Sequence, residues 1–326
     1  MVKYRVLGSL QVRINGRECT PQASKVRQVL ALCLFRPNQI VSIDSIIAEL
    51  WDDSPPRTAV TTAQTYIYQL RKLLALHGGE RLASETIRTT PPGYTVYVTD
   101  DQLDCMQFEL MVEQGRALLV AGETSRAAAL LRQALRVWDG PALTGVEHGR
   151  LLQSDVAHLE EMRMLALELR LRAEMRLGYH RELIPELKSL VRTHPYHEWL
   201  HAQLMIALQR SGRRGDALSA YREVRRVLSA ELGVEPSADL QRVHEKVLKG
   251  LYQESVLGPH LYGAGASARP GRAHAVPAET GSGSPNHVRS AARSGAARSG
   301  SAVAGRWPAQ ITWPSGRSSS PARSGR

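Results

Sequence analysis

Between Thr58 and Leu74 the chain places Thr61, Thr65, Tyr68 and Lys72 at spacings that a helix, turning about 100° per residue, brings to one side. Thr62 and Gln69 fall beside that row, with Gln64 and Arg71 on its flank. Hydroxyls and amides can exchange hydrogen bonds with base edges, whereas Arg and Lys neutralise phosphates. The pattern therefore suits a duplex-DNA reader in which Thr65, Tyr68 and Gln69 face bases and Arg71 and Lys72 face the backbone. A lone amphipathic helix would present the same face merely to solvent.

A second constellation, His197-Glu198-Trp199-Leu200-His201, spells HExxH. That spacing puts two histidines on one helical face as zinc ligands, with Glu198 as general base. His180 and His194 lie nearby, but no HExxHxxGxxH follows and the segment sits inside a helical array. His197, Glu198 and His201 are therefore expected on the solvated side of a helix whose Leu200, Leu204, Ala207 and Leu208 pack inward. Cys19, Cys33 and Cys105 are odd in number and lack CxxC spacing, which predicts buried thiols and neither disulfides nor a zinc ribbon. Nothing reads GxxxxGK[ST]. No metal, no cofactor and no catalysis is expected.

The elements that would hold the reading helix are legible around it. Tyr4, Val6, Leu10, Val12 and Ile14 share one parity, the pattern of a half-buried strand, and Asn15-Gly16 supplies a hairpin turn. Val26, Val29, Leu30 and Cys33 mark a first helix ended by Pro37 and Asn38. Ile43, Ile46, Ile47, Leu50 and Trp51 mark a second behind Ser42 as N-cap. The third has Val60, Ala63, Ile67, Leu70 and Leu74 as its core stripe. Ile87 to Val98, broken by Pro91-Pro92-Gly93, reads as two strands and a turn. Strands, three helices and a hairpin in that order make residues 1–100 a winged helix-turn-helix, α+β in class.

From residue 104 to 250 the periodicity is helical throughout, broken at Gly122, Asp139-Gly140-Pro141, Gly178, His194-Pro195, Gly212 and Gly233 to Pro236. Leu183 and Leu218 recur at close to the period of about 34 residues of tetratricopeptide helix pairs. Residues 251–326 turn to Gly, Ser, Ala, Pro and Arg, a composition predicting a disordered basic tail. The chain is thus mainly α: a winged helix, a tetratricopeptide-like all-α domain and a tail. Its net charge of +11 divides into +4 for residues 1–100, zero for 101–250 and +7 for the remainder. The neutral middle suits protein contacts better than DNA. No run of about 18 apolar residues and no signal-peptide core is present, so a cytoplasmic protein without membrane contact is expected.

Residues 40–98 resemble the OmpR/PhoB-type winged helix, with ELW ending one helix, RT-x-x-T opening the next, QLRKLL closing it, and IRTTPPGYTV as the wing. The resemblance implies phosphate contacts from Trp51, Thr61, Thr62 and Arg71. It implies base or backbone contacts from Gln64, Tyr68 and Gln69, minor-groove approach by Arg88 and Thr90, and Tyr94 packed at the wing's base. The loop Asp52-Asp53-Ser54 resembles the segment that touches polymerase, the structural alternative being a pairing of Asp53 with the reading helix's N-terminus. Family members often carry arginines where this chain has Tyr68 and Gln69, so the preferred bases should differ.

LRQALRVWDGPAL, LEEMRMLALELRLRAEMRLG, the segment from ELIPELKSL to ELGVEP, and SADLQRVHEKVL resemble the bacterial transcriptional activator domain. Together the two resemblances, over about residues 1–250, identify the chain as similar to the Streptomyces antibiotic regulatory protein family. That similarity implies an activator of a secondary-metabolite gene cluster. Such an activator binds direct repeats near the promoter, as a homodimer on DNA, and recruits RNA polymerase from a nucleoid-associated position. The competing reading is a helical-repeat interaction scaffold with a degenerate DNA-binding domain.

Overall fold

A computed structural model describes residues 1–250. Tyr4, Val6, Leu10, Val12 and Ile14 are all buried, as their parity requires, but they form two strands rather than one. Gly8, at φ 144°, turns the chain, and β1 (Val2–Arg5) pairs antiparallel with β2 (Gln11–Ile14), Val2 facing Ile14. Asn15 and Gly16 take φ of 53° and 82° and close a tight hairpin onto β3 (Arg17–Glu18). Positive φ at both turn positions matches the twist of the strands they join.

Helix α1 (Ser24–Leu34) is buried at every position from Gln28 to Leu34, well beyond the single face its periodicity suggests. The short strand β4 (Ile40–Ser42), too brief for a periodic signal, leads into α2 (Ile43–Trp51). Ser42 caps that helix, its hydroxyl accepting the Ser45 amide at 3.0 Å. Helix α3 (Ala59–Gly78) buries Ala59, Ala63, Ile67, Leu70 and Leu74. Val60, expected in that stripe, is instead 48% exposed. An i+4 step back from Ala63 reaches Ala59, so Ala59 takes the core position and Val60 swings onto the flank. A short helix α4 (Glu80–Thr86), which the sequence reading passed over, precedes the wing strands β5 (Ile87–Thr90) and β6 (Gly93–Val96). The second sheet runs β4-β6-β5. A Cβ on Gly93 would lie 1.9 Å from the Val41 carbonyl oxygen, so only glycine lets β4 and β6 approach there.

Among the described residues seven further α-helices follow: α5 (Asp104–Val120), α6 (Thr124–Leu135), α7 (Arg150–Arg176), α8 (His180–Thr193), α9 (Glu198–Arg210), α10 (Arg214–Val227) and α11 (Ala238–Lys249). Their interruptions fall where glycine periodicity breaks place them. The pairs α8/α9 and α10/α11 open at His180 and Arg214, a tetratricopeptide-like spacing. The break expected at Asp139-Gly140-Pro141 is longer than three residues: 136–149 are irregular. They run along the first sheet, where the amides of Asp139, Leu143 and Thr144 donate to the carbonyls of Leu7, Val6 and Gly8 at 2.8–2.9 Å. The Tyr4 amide likewise donates to the Gln102 carbonyl at 2.7 Å. β1 is an edge strand, and these segments satisfy the groups that an open edge leaves unpaired.

One buried apolar cluster runs from Val2 through the winged helix and α5–α6 to Leu169 in α7, and a second from Leu171 to Val247. Between them Arg170 pairs with Glu174 at 2.8 Å and with Glu186, and Arg132 reaches the other oxygen of Glu174. All three cysteines are buried thiols. Burial pushes the Cys33 thiol up to about 12. Among the described residues no helix is long and apolar enough to cross a membrane. The disorder expected for residues 251–326 lies outside the described residues.

Candidate nucleic-acid interface

Packing of the Ala59–Leu74 stripe against α1 and α2 sets the rotation of α3, and that rotation decides what it shows. Thr61, Gln64, Thr65, Tyr68, Gln69 and Lys72 are all exposed, Tyr68 at 63%. Thr62 is half-buried, its hydroxyl 3.5 Å from that of Thr58. Thr65 donates its hydroxyl proton to the Thr61 carbonyl at 2.9 Å, which leaves its oxygen free to accept from outside. The helix thus displays hydroxyls, amides and one ammonium, a set able to read base edges in a groove wide enough for a helix.

Arg71, expected at a phosphate, makes its hydrogen bonds to the wing. Its Nε and Nη2 donate to the Ile87 carbonyl at 3.3 and 3.1 Å, and Nη2 donates to the Thr89 hydroxyl at 2.8 Å. The guanidinium also lies 5.7 Å from the centre of the Tyr94 ring. The physical reason is the sheet order: β5 is an edge strand, so its outward carbonyl needs a donor, and Arg71 provides two. Arg71 therefore ties the wing to the helix. Arg88 is exposed with its guanidinium 4.6 Å over the Tyr97 ring. Thr90 and Tyr94 are half-buried at the wing's base, and the Thr95 hydroxyl lies 3.3 Å from that of Thr90. Trp51 is half-buried against the first core.

Behind this surface lies a polar seam that the sequence reading missed. Glu49 on α2 is only 2% exposed, and its carboxylate accepts the backbone amides of Gly149, Leu151 and Leu152 at 2.6, 3.0 and 3.1 Å. Gln28 of α1 adds its amide, donating to Oε1 at 3.0 Å and to the Glu49 carbonyl at 2.8 Å. A carboxylate thus caps the N-terminus of α7 from another element, where the orphan amides and the helix dipole favour negative charge. A Cβ on Gly149 would lie 2.2 Å from the Glu49 carbonyl oxygen, so glycine is required for this approach. Lys25–Glu147 and Arg36–Asp155, both at 2.8 Å, flank the joint. One signal in the sequence pointed to it: Glu49 shares the buried face of α2 with Ile46 and Leu50.

The loop Asp52-Asp53-Ser54 is exposed, yet neither aspartate pairs with the start of α3. Arg150 holds them, with Nε 2.6 Å from Asp52 and Nη2 3.6 Å from Asp53. The cause is proximity: Glu49 brings the first turn of α7 against the end of α2.

The HExxH residues do not converge. His197 donates to Glu168 at 3.2 Å, and that contact raises its pKa. Glu198 accepts the Ser237 amide at 2.7 Å. His201 is buried rather than solvated and its Nε2 lies 2.9 Å from the Pro195 carbonyl, while burial lowers its pKa. Helix α9 packs against α8, α10 and α11, so little of it is left to face water. Among the described residues no three His, Cys, Asp or Glu side chains gather as a metal site.

The family described as bacterial transcriptional activator domain matches residues 103–248. The chain is 42% identical over 253 residues to the regulatory protein DnrI of Streptomyces peucetius, covering 76% of this chain and 92% of DnrI. It is 34% identical over 247 residues to the transcriptional regulator RedD of Streptomyces coelicolor, covering 76% of this chain and 70% of RedD. A solved structure of Mycobacterium tuberculosis EmbR in complex with a low affinity phosphopeptide is similar at a TM-score of 0.74 and 32% identity. That likeness covers 78% of this chain and 67% of the EmbR chain.

Proposed function

The chain belongs to the Streptomyces antibiotic regulatory protein family, and from that premise we propose that it activates one secondary-metabolite gene cluster by binding direct repeats beside its promoter. Gln64, Thr65, Tyr68 and Gln69 read bases in the major groove. Trp51, Thr61, Thr62 and Lys72 meet phosphates, and Arg88 and Thr90 bring the wing to the minor groove. Arg71 holds that wing at its working angle. The exposed loop at Asp52, Asp53 and Ser54 meets RNA polymerase, two copies bind the tandem site, and the protein works in the cytoplasm at the nucleoid without enzymatic activity. Residues 1–100 serve as the reader, and 104–250 as the helical domain that aligns it.

The observation that carries this reading is the outer face of α3, six exposed polar side chains on a helix locked from behind and tied to a wing. Footprinting of the full chain on promoter regions of antibiotic-type clusters tests it. Protection of direct repeats one helical turn apart, centre to centre, is expected, and uniform salt-sensitive coating of unrelated DNA would sink the proposal.

A further inference from the structure

A cation in the first turn of a helix sits at the wrong pole of the dipole, and α7 opens with Arg150 and has no acidic residue in that turn. Its placement is explained by what it touches. Arg150 spans the joint from the helical domain to the α2–α3 loop, where Nε meets Asp52 at 2.6 Å and Nη2 meets Asp53 at 3.6 Å. Among the described residues it is the one cation within ion-pair distance of either aspartate. The loop has little else to define it. Asp52, Asp53, Ser54, Pro55 and Pro56 are all exposed, and the backbone bonds are from the amides of Asp52, Ser54 and Ala59 to the carbonyls of Ala48, Trp51 and Pro56. Asp52 itself has φ 51° and ψ −122°, a conformation that side chains rarely adopt and that persists only where surroundings enforce it. Two adjacent carboxylates would otherwise repel and spread.

We infer that Arg150 is a positioning residue for transcription activation: it fixes the Asp52–Asp53 pair in the geometry that the polymerase meets, without itself taking part in DNA binding. The inference rests on the reading of this loop as the polymerase contact. It makes the helical domain an instructor of the loop, because the Glu49 cap that seats α7 also delivers Arg150 to the aspartates. The partner surface this fits is basic, since what is displayed is a pair of carboxylates only partly neutralised by one guanidinium.

The test uses the full chain, a duplex selected by it from a random-sequence pool, and RNA polymerase holoenzyme on a template carrying that duplex. Arg150 is exposed, so Arg150→Ala should fold. It should bind the duplex within about twofold of the parent chain while its transcription falls about five- to tenfold, and Arg150→Lys should recover at least half of that loss. Equal loss of DNA affinity and transcription in Arg150→Ala would overturn the inference, as would transcription at the parent level. The double change D52N with D53N separates the two claims. If it abolishes activation while Arg150→Ala is silent, the loop reading stands and the role of Arg150 falls. If it leaves activation intact, the loop reading fails and takes the inference with it.

Discussion

Across the seam between α2 and α7 the polar side chains are buried and closed on partners, whereas across the outer face of α3 they are exposed and open. Glu49 at the seam accepts four hydrogen bonds from three backbone amides and Gln28, and Gly149 is shaped to admit it. Gln69 on the outer face belongs to a row exposed to solvent. Both residues are polar and both lie on amphipathic helices, so residue type does not separate them. Closure does: a polar group whose partners are supplied within the chain holds the fold, and one left open is available to a ligand. Arg71 sits between the two regimes, and its bonds to Ile87 and Thr89 move it from the second class to the first.

Experiments can break this contrast at either end. Glu49→Ala should have the largest effect, lowering unfolding stability by about 3–5 kcal/mol, because it strands buried amides of α7 and the amide of Gln28. Denaturant unfolding of the full chain measures it, and a loss no larger than an ordinary surface change would show that the seam is not closed. Gln69→Ala should leave stability within about 0.5 kcal/mol. It should instead alter discrimination at one base pair by about 1–3 kcal/mol, read from affinities for duplexes differing at single positions. Equal weakening on selected and random DNA would remove Gln69 from base readout.

Glu109 supplies a sharper control, since burial without a compensating charge or donor pushes its carboxyl up to about 7. A folded pKa above the unfolded one means that the folded state binds the proton more readily. Stability should therefore fall as pH rises from about 4.5 to 7 and level off beyond. Glu109→Gln should raise stability at pH 8 by on the order of 1–2 kcal/mol and do nothing at pH 4. The smallest effects belong to the cations of α3. Lys72→Ala should reduce the salt dependence of DNA binding by about one counterion. Arg71→Ala should weaken binding to all sequences about two- to threefold and lower that slope as well, since its acceptors at the wing, a carbonyl and a hydroxyl, leave its charge in place.

Much of the architecture was legible because it depends on local repetition. Alternation at Tyr4 to Ile14, the Asn15-Gly16 turn, the Ser42 cap and the stripe from Ala63 to Leu74 are properties of neighbouring residues, and they hold in the structure. Errors of detail arose where the helix start or a break was displaced by a residue or two, as with Val60 and Gly8. The break at Asp139-Gly140-Pro141 was legible, but its extension over 136–149 was not, because that order comes from the edge of a sheet more than a hundred residues earlier. The outer face of α3 was read in advance, since a core stripe implies the side opposite to it. The seam was not, because Glu49 meets Gly149 at a separation of 100 residues and nothing local marks a carboxylate as a cap for a distant helix.

The three principal helices and the wing of the N-terminal domain, the outward face of α3 and the resemblance to a family of regulators were therefore determined by the sequence alone, through periods of two and 3.6 residues and motifs kept in register. Tertiary structure decided which polar groups of that chain are spent. It buried Glu49 and His201, bonded Arg71 to the wing, and set Arg150 on Asp52 and Asp53. The physical reason is that exposure follows from local periodicity, whereas the satisfaction of a hydrogen bond depends on a partner that only the folded chain brings near.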